Sequence, residues 1–214
     1  MTVPESGSTA CPNCGATIRF RWAQAAQTTC DFCKSVLVRR GLDIEKVGTQ
    51  AEFPRTGSPI QLGTEGKWRG HNFVVVGRVT YAWQSGRWNE WHCSLSDGKS
   101  AWLSDAQLEY AMTEQTATNE ILPTPNGVEV GQHFTWNGVE YQVATITAAI
   151  YVGTEGDLPF TTSDRSESWF ADLQNSTGAL ATIDGSENPP LLYTGEYVSF
   201  DTLELKGLRE FEGW

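Results

Sequence analysis

The clearest pattern along this chain is alternation of apolar and polar residues with a period of two, the signature of half-buried strands. Thr17–Trp22 alternates, Val36–Arg40 reads as a second short strand, and Asn72–Trp83 and Glu140–Tyr151 are long runs rich in Val, Thr, Ile and Tyr. Trp88–Leu95 and Ser100–Leu103 flank Asp97-Gly98, a dipeptide suited to a tight hairpin turn. Arg69-Gly70 and Asn137-Gly138 predict two more turns, each between a short strand and one of the long runs. The stretch Ser104–Thr113 reads two ways. Ser104 with Gln107 would suit a helix capping box, but Leu108, Tyr110 and Met112 alternate, which favours a strand. Short strands broken by turns every ~8–12 residues predict a mostly β chain made of small barrels or sandwiches.

The β pattern occurs twice. Leu62-Gly63, Trp68-Arg69-Gly70, Phe73 and Val75 recur as Val130-Gly131, Trp136-Asn137-Gly138, Tyr141 and Val143, each 68 residues further on. Beyond them, Trp91, Leu95, Ala101 and Trp102 align with Trp169, Leu173, Ala179 and Leu180 at an offset of 78. The change of offset predicts an insertion in the second copy around Val152–Ser166. Self-similarity on this scale predicts two related β units, at 59–114 and 128–214. Gly- and Pro-rich residues 41–58 and Thr-, Pro- and Asn-rich residues 115–127 read as linkers.

Residues 8–40 carry the sharpest motif. Cys11 and Cys14 form one Cys-x2-Cys pair, and Cys30 and Cys33 form another after 15 intervening residues. This spacing falls in the range of four-thiolate zinc sites, because two thiolates on one tight turn share a tetrahedral ion. Pro12, Asn13 and Gly15 supply turn chemistry to the first pair, whereas the second pair has Lys34 where a Gly would be expected. Some 35 residues bury too little surface to fold unaided, and zinc would contribute about 10–16 kcal/mol of apparent binding energy. A closed set of four cysteines points to one structural Zn2+ in a zinc ribbon rather than to a catalytic metal; iron in the same cage is the alternative. The expected architecture is therefore a zinc ribbon followed by two related β-barrel or β-sandwich units.

Charge narrows the partners. The net charge is −11, but residues 1–50 carry +2 and the remainder −13, with no Lys or Arg between Lys99 and Arg165. An acidic body repels phosphate backbones and anionic lipid, so nucleic acid is not an expected partner. Only the ribbon, with Arg19, Arg21, Arg39, Arg40, Phe20 and Trp22, offers a mildly basic aromatic surface. No run approaches the ~18 apolar residues of a membrane-spanning helix. The first residues lack a signal-peptide pattern, so the expected setting is cytoplasmic.

Residues from about Pro59 to Met112 resemble the bacterial family known as the domain of unknown function DUF4178. The resemblance rests on Leu62-Gly63, Gly70, Phe73, Val75-Val76-Gly77-Arg78-Val79, Trp88-Asn89-Glu90-Trp91, Asp97-Gly98, Ala101-Trp102-Leu103 and Gln107. The second copy lacks the Gly-Arg pair and has Leu180 where the alignment puts Trp102 in the first. The resemblance implies an N-terminal zinc ribbon and carries over no catalytic residues. It also implies association with bacterial envelope-stress gene clusters that include membrane-associated stress proteins and polyamine-synthesis enzymes.

No residue constellation specifies a reaction. His71, His92 and His133 share no metal-ligand spacing and read as surface or hydrogen-bonded core residues. His92 and Cys93 are neighbours on one strand and so point to opposite faces, which makes Cys93 a buried small hydrophobe. Glu90 is expected to pair within the sheet, and Trp88, Trp91 and Trp102 to lie in the core, with a ligand platform as the other reading. The expected function is a non-enzymatic adaptor that binds a protein partner; the alternative is a module for a small ligand such as a polyamine, since carboxylates and Trp faces suit cations.

Overall fold

The computed structural model describes residues 8–41, 43–50, 57–161 and 167–211, and the chain is mostly β. At the N-terminus β1 (Thr9–Ala10) and β2 (Thr17–Ile18) form a hairpin, while β3 (Gln27–Thr29), β4 (Ser35–Arg40) and β5 (Asp43–Thr49) form a three-stranded antiparallel sheet. The strand expected over Thr17–Trp22 ends at Ile18, because Phe20 turns under the Arg39 guanidinium, 3.9 Å from its ring centroid. Residues 43–49 are strand rather than linker. β5 is a mostly exposed edge strand, so its charges mask the alternation, and Ile44 alone packs on the ribbon core.

The body holds the remaining strands: β6 (Glu65–Trp68), β7 (His71–Trp83), β8 (Gly86–Leu95), β9 (Ser100–Ala106), β10 (Glu109–Gln115), β11 (His133–Trp136), β12 (Val139–Gly156), β13 (Glu167–Gln174), β14 (Ala179–Asp184) and β15 (Leu191–Val198). All lie in one antiparallel sheet, and β12 also pairs with β7. Eight strands, β7–β10 and β12–β15, thus close into a ring, and β6 and β11 extend it as short arms. Residues 59–114 and 128–214 therefore complete one barrel together, where two small barrels or sandwiches were expected. Its seams, β10–β15 and β7–β12, each join one unit to the other.

Strand register corrects the repeat alignment. Val75 pairs with Cys93 and Val143 with Leu173, so the offset beyond the long strands is 80, not 78. Trp91 therefore corresponds to Ala171, and both are fully buried, whereas Trp169 is 38% exposed. The added length falls in the connection from β12 to β13, where an insertion was expected; residues 162–166 of that stretch lie outside the described residues. Ser104–Thr113 is neither one strand nor a helix. Gln107 and Leu108 both take positive φ, 52° and 71°, and form a hairpin turn between β9 and β10 without any glycine.

A β-bulge in each long strand decides which side chains face the interior. Between Val75 and Gly77 the register with β8 slips by one, and between Val143 and Thr145 the same slip occurs against β13. Before the bulge, Phe73 and Val75 join a core with Trp91, Cys93, Leu103 and Met112 on the outer face of the first unit. Tyr141 and Val143 join Ala171, Leu173, Ile183 and Leu192 on the outer face of the second. After the bulge, Val79, Tyr81 and Trp83 turn into the ring, as do Thr145 and Thr147. At the seams the strands approach too closely for a side chain: a Cβ on Gly195 would lie 1.9 Å from the Met112 carbonyl oxygen, and one on Gly77 would lie 2.1 Å from that of Asp157. Among the described residues no helix is long and apolar enough to cross a membrane.

Candidate functional site

Two features can carry chemistry, the cysteine cluster and the interior of the ring. Each cysteine pair sits on the same backbone turn. The Gly15 N–H donates to the Cys11 carbonyl at 2.9 Å and the Lys34 N–H to the Cys30 carbonyl at 3.0 Å, with φ of +75° and +58° at the donors. Lys34 thus adopts the left-handed conformation that Gly15 adopts more cheaply. The turns bring all four Sγ atoms within 4.8 Å of one another, with Cys11–Cys33 at 3.7 Å and Cys14–Cys30 at 3.8 Å. A tetrahedral ion with bonds of about 2.3 Å sets its sulfurs about 3.8 Å apart, so the cluster could hold a metal ion. The Ser35 hydroxyl, 3.2 Å away, is the main cause that holds the Cys33 thiol down at about 5, whereas the Cys14 thiol shifts the other way, to about 12.

The interior of the ring is a cavity of about 310 Å³ lined from all eight strands. Its walls are aromatic (Tyr81, Trp88, Trp102, Phe160, Phe170 and Tyr193), and three carboxylates, Glu90, Asp172 and Asp184, face into it. Tyr81 stacks on Trp88 at 5.1 Å, and Phe170 meets both rings edge-on. Glu90 Oε1 accepts from the Trp88 indole at 2.9 Å and from the Ser104 hydroxyl at 3.0 Å, and Thr182 donates to Asp172 at 2.7 Å. Burial pushes the Glu90 carboxyl up to about 8, against the pull of these hydrogen bonds, and raises Asp172 and Asp184 as well. Arg87, Gln107, Glu109 and Tyr197, all exposed, mark the open end of this lumen.

At the other end Phe160, on a segment that packs against the ribbon, borders both the lumen and a second cavity. Phe160 stacks on Trp102 at 5.7 Å, Trp102 lies 5.0 Å from the His92 ring, and His92 meets the edge of Trp22 at 4.7 Å. His92 is fully buried, and its Nδ1 donates to the Asp157 carbonyl at 2.9 Å, which leaves Nε2 as an acceptor. Burial lowers its pKa to about 4, so the ring is neutral. The Asp157 carboxylate accepts from the Trp22 backbone N–H at 2.8 Å and from the Thr28 hydroxyl at 2.6 Å. Trp22 is therefore part of an interface within the chain and not a freely presented surface residue.

Several residues fall where the sequence places them. The four cysteines converge, Cys93 is buried with its thiol pKa raised by burial, and it lies on the opposite strand face from His92. Trp91 is core as expected, but Trp88 and Trp102, also expected there, line the lumen instead. His133 is exposed beside Glu140 at 3.2 Å, and His71 is half-buried. Asp157, Asp172 and Asp184 carry no sequence motif; the available signal is the phase of Glu90, Asp172 and Asp184, two residues apart from aromatic or Thr neighbours and opposite to the apolar phase of each strand. The Gly77-Arg78 pair, absent from the second copy, has a one-sided task. Gly77 admits the Asp157 carbonyl, and Arg78, buried over Trp91, pairs with Glu155 across the β7–β12 seam at 3.0 Å.

No curated protein and no solved structure matches this chain. One family model does, over residues 61–200, and it spans both units of the ring rather than the first alone. The chain belongs to the family described as domain of unknown function DUF4178.

Proposed function

We propose that this chain is a non-catalytic binding protein whose barrel lumen takes an organic cation, a protonated amine such as a polyamine, and whose cysteine cluster holds a structural zinc ion. The observation that carries the reading is the lumen itself. Its volume falls in the range of small-ligand sites, its walls are largely aromatic, and Glu90, Asp172 and Asp184 place three carboxylates inside it. Aromatic faces and carboxylates both attract cations, and an ammonium would favour the ionised form of acids whose pKa burial raises. The resemblance to a family found beside polyamine-synthesis genes points the same way, and reduced thiols would suit a cytoplasmic setting.

Titration calorimetry with spermidine tests the reading, with glucose and citrate as neutral and anionic controls. Saturable heat for spermidine that Glu90→Gln or Asp172→Asn weakens supports it, and no heat at millimolar spermidine removes it. The adaptor reading, with another protein as partner, keeps one specific support. Phe32, at the tip of the second cysteine turn, is 76% exposed and offers an aromatic contact. The envelope-stress setting remains a proposal drawn from the family resemblance.

A further inference from the structure

One wall of the lumen, at Phe160, is built by a segment that the barrel does not hold alone. Residues 157–160 leave β12 and run against the ribbon. The Leu158 carbonyl accepts from the Ala26 and Gln27 N–H groups at 2.9 and 3.2 Å, and the Leu158 N–H donates to the Gln27 carbonyl at 2.9 Å. Leu158 is fully buried against Val79 and Trp102, and Phe160 stacks on the lumen face of Trp102. Asp157 anchors the segment from the ribbon side through Trp22 and Thr28. The ribbon residues that make these contacts, Trp22 and Ala26–Thr28, all lie between the two cysteine pairs. Their positions depend on a core of six buried residues, two of which are the ligands Cys11 and Cys30. The contact is also incomplete. The Trp22 Nε1–H and His92 Nε2, on rings 4.7 Å apart, are buried and lack a hydrogen-bond partner among the described residues.

We infer that metal in the cysteine cluster controls the lumen: the metal-bound ribbon clamps residues 157–160 and so holds the Phe160–Trp102 wall in place, and its loss opens that wall and weakens ligand binding. The inference rests on the reading of the lumen as a ligand site. Without metal, four free thiols replace the cross-link that fixes residues 11–33, and the chain between the pairs regains its freedom. Leu158 then loses the partner of its backbone hydrogen bonds, whereas Asp157 keeps its bonds to Val76 and His92 and the eight-stranded ring keeps all of its own pairings.

The test compares zinc-loaded full-length protein with the same protein after chelation. Backbone hydrogen exchange reads the segment, and spermidine calorimetry reads the site. Chelation is expected to speed exchange at Gln27 and Leu158 by at least tenfold, leave Cys93 and Met112 protected, and weaken spermidine at least tenfold. Unchanged protection at Leu158, or an unchanged spermidine affinity, overturns the inference while leaving the ligand reading intact. Zinc-loaded protein that binds no spermidine removes that reading and with it the ligand half of the inference, and the exchange result still decides the clamp. Should chelation unfold the whole chain, Thr28→Val provides the second route. It removes one anchor to Asp157 and keeps every cysteine, so bound zinc should stay at one per chain while spermidine weakens severalfold; unchanged affinity in that variant overturns the inference.

Discussion

Glu90 should make the folded barrel less stable as pH rises, and Glu90→Gln should remove its share of that dependence. Burial among Tyr81, Trp88, Ser104, Asp172, Asp184 and Tyr193 raises its carboxyl from 4.5 to about 8. Between these values the unfolded chain has released the proton and the folded chain still holds it. Stability then falls by about 1.4 kcal/mol per pH unit. Over the whole window the loss amounts to about 5 kcal/mol, absent below pH 4.5 and complete above pH 8. Asp172 and Asp184, also raised by burial, act in the same direction. A glutamine keeps an oxygen to accept from Ser104 and Trp88 and has no proton to lose. Urea unfolding from pH 5 to pH 9 at fixed zinc reads the effect, because the metal site contributes equally to both proteins. The variant should match or slightly trail the wild type at pH 5 and exceed it by several kcal/mol at pH 9. A stability difference that is flat across pH, or that grows toward acid, would refute the account of Glu90 as a buried, protonated acid.

Other predictions follow from the same geometry. Spermidine binding at pH 7 should release about one proton, since an ammonium draws Glu90 into its ionised form, and calorimetry in buffers of different ionisation heat measures it. Leu108→Gly should raise thermal stability by about 1 kcal/mol, because Leu108 is 84% exposed and sits at φ +71° in the β9–β10 turn. Gly77→Ala should cost roughly 2–4 kcal/mol in urea unfolding, since its Cβ would meet the Asp157 carbonyl oxygen at 2.1 Å. Cys30→Ser should abolish stoichiometric zinc, read by elemental analysis, whereas Cys93→Ser should leave one zinc per chain.

Much of the fold was legible because its signals are local. The cysteine spacing named the cluster, and Gly70, Gly98 and Gly138 marked turns that the backbone does make at positive φ. Where a turn is made without glycine, as at Gln107-Leu108, the sequence carries no such mark, and the strand reading ran straight through it. The identity of Trp91 and Trp169 drew the repeat alignment two residues off; only pairing shows that the buried equivalent of Trp91 is Ala171. The lumen was illegible for a different reason. Closing the ring requires β10 to meet β15 and β7 to meet β12, contacts between residues 68–88 positions apart that no window along the chain reports. Glu90 could be singled out from its motif, but Asp172 and Asp184 become its neighbours only after closure.

The ring has two similar halves, but its lining does not respect that likeness. At the offset of 80, Glu90 corresponds to Phe170, His92 to Asp172 and Ser104 to Asp184. The three indoles that line the lumen, Trp83, Trp88 and Trp102, all come from the first half, and two of its four carboxylates, Asp172 and Asp184, come from the second. A twofold-symmetric dimer of half-barrels would be bound to present the same groups twice and could not tell one end of a guest from the other. Joining the halves in one chain removes that constraint, so this lumen has a head and a tail, and a guest with unlike ends will sit in one orientation only.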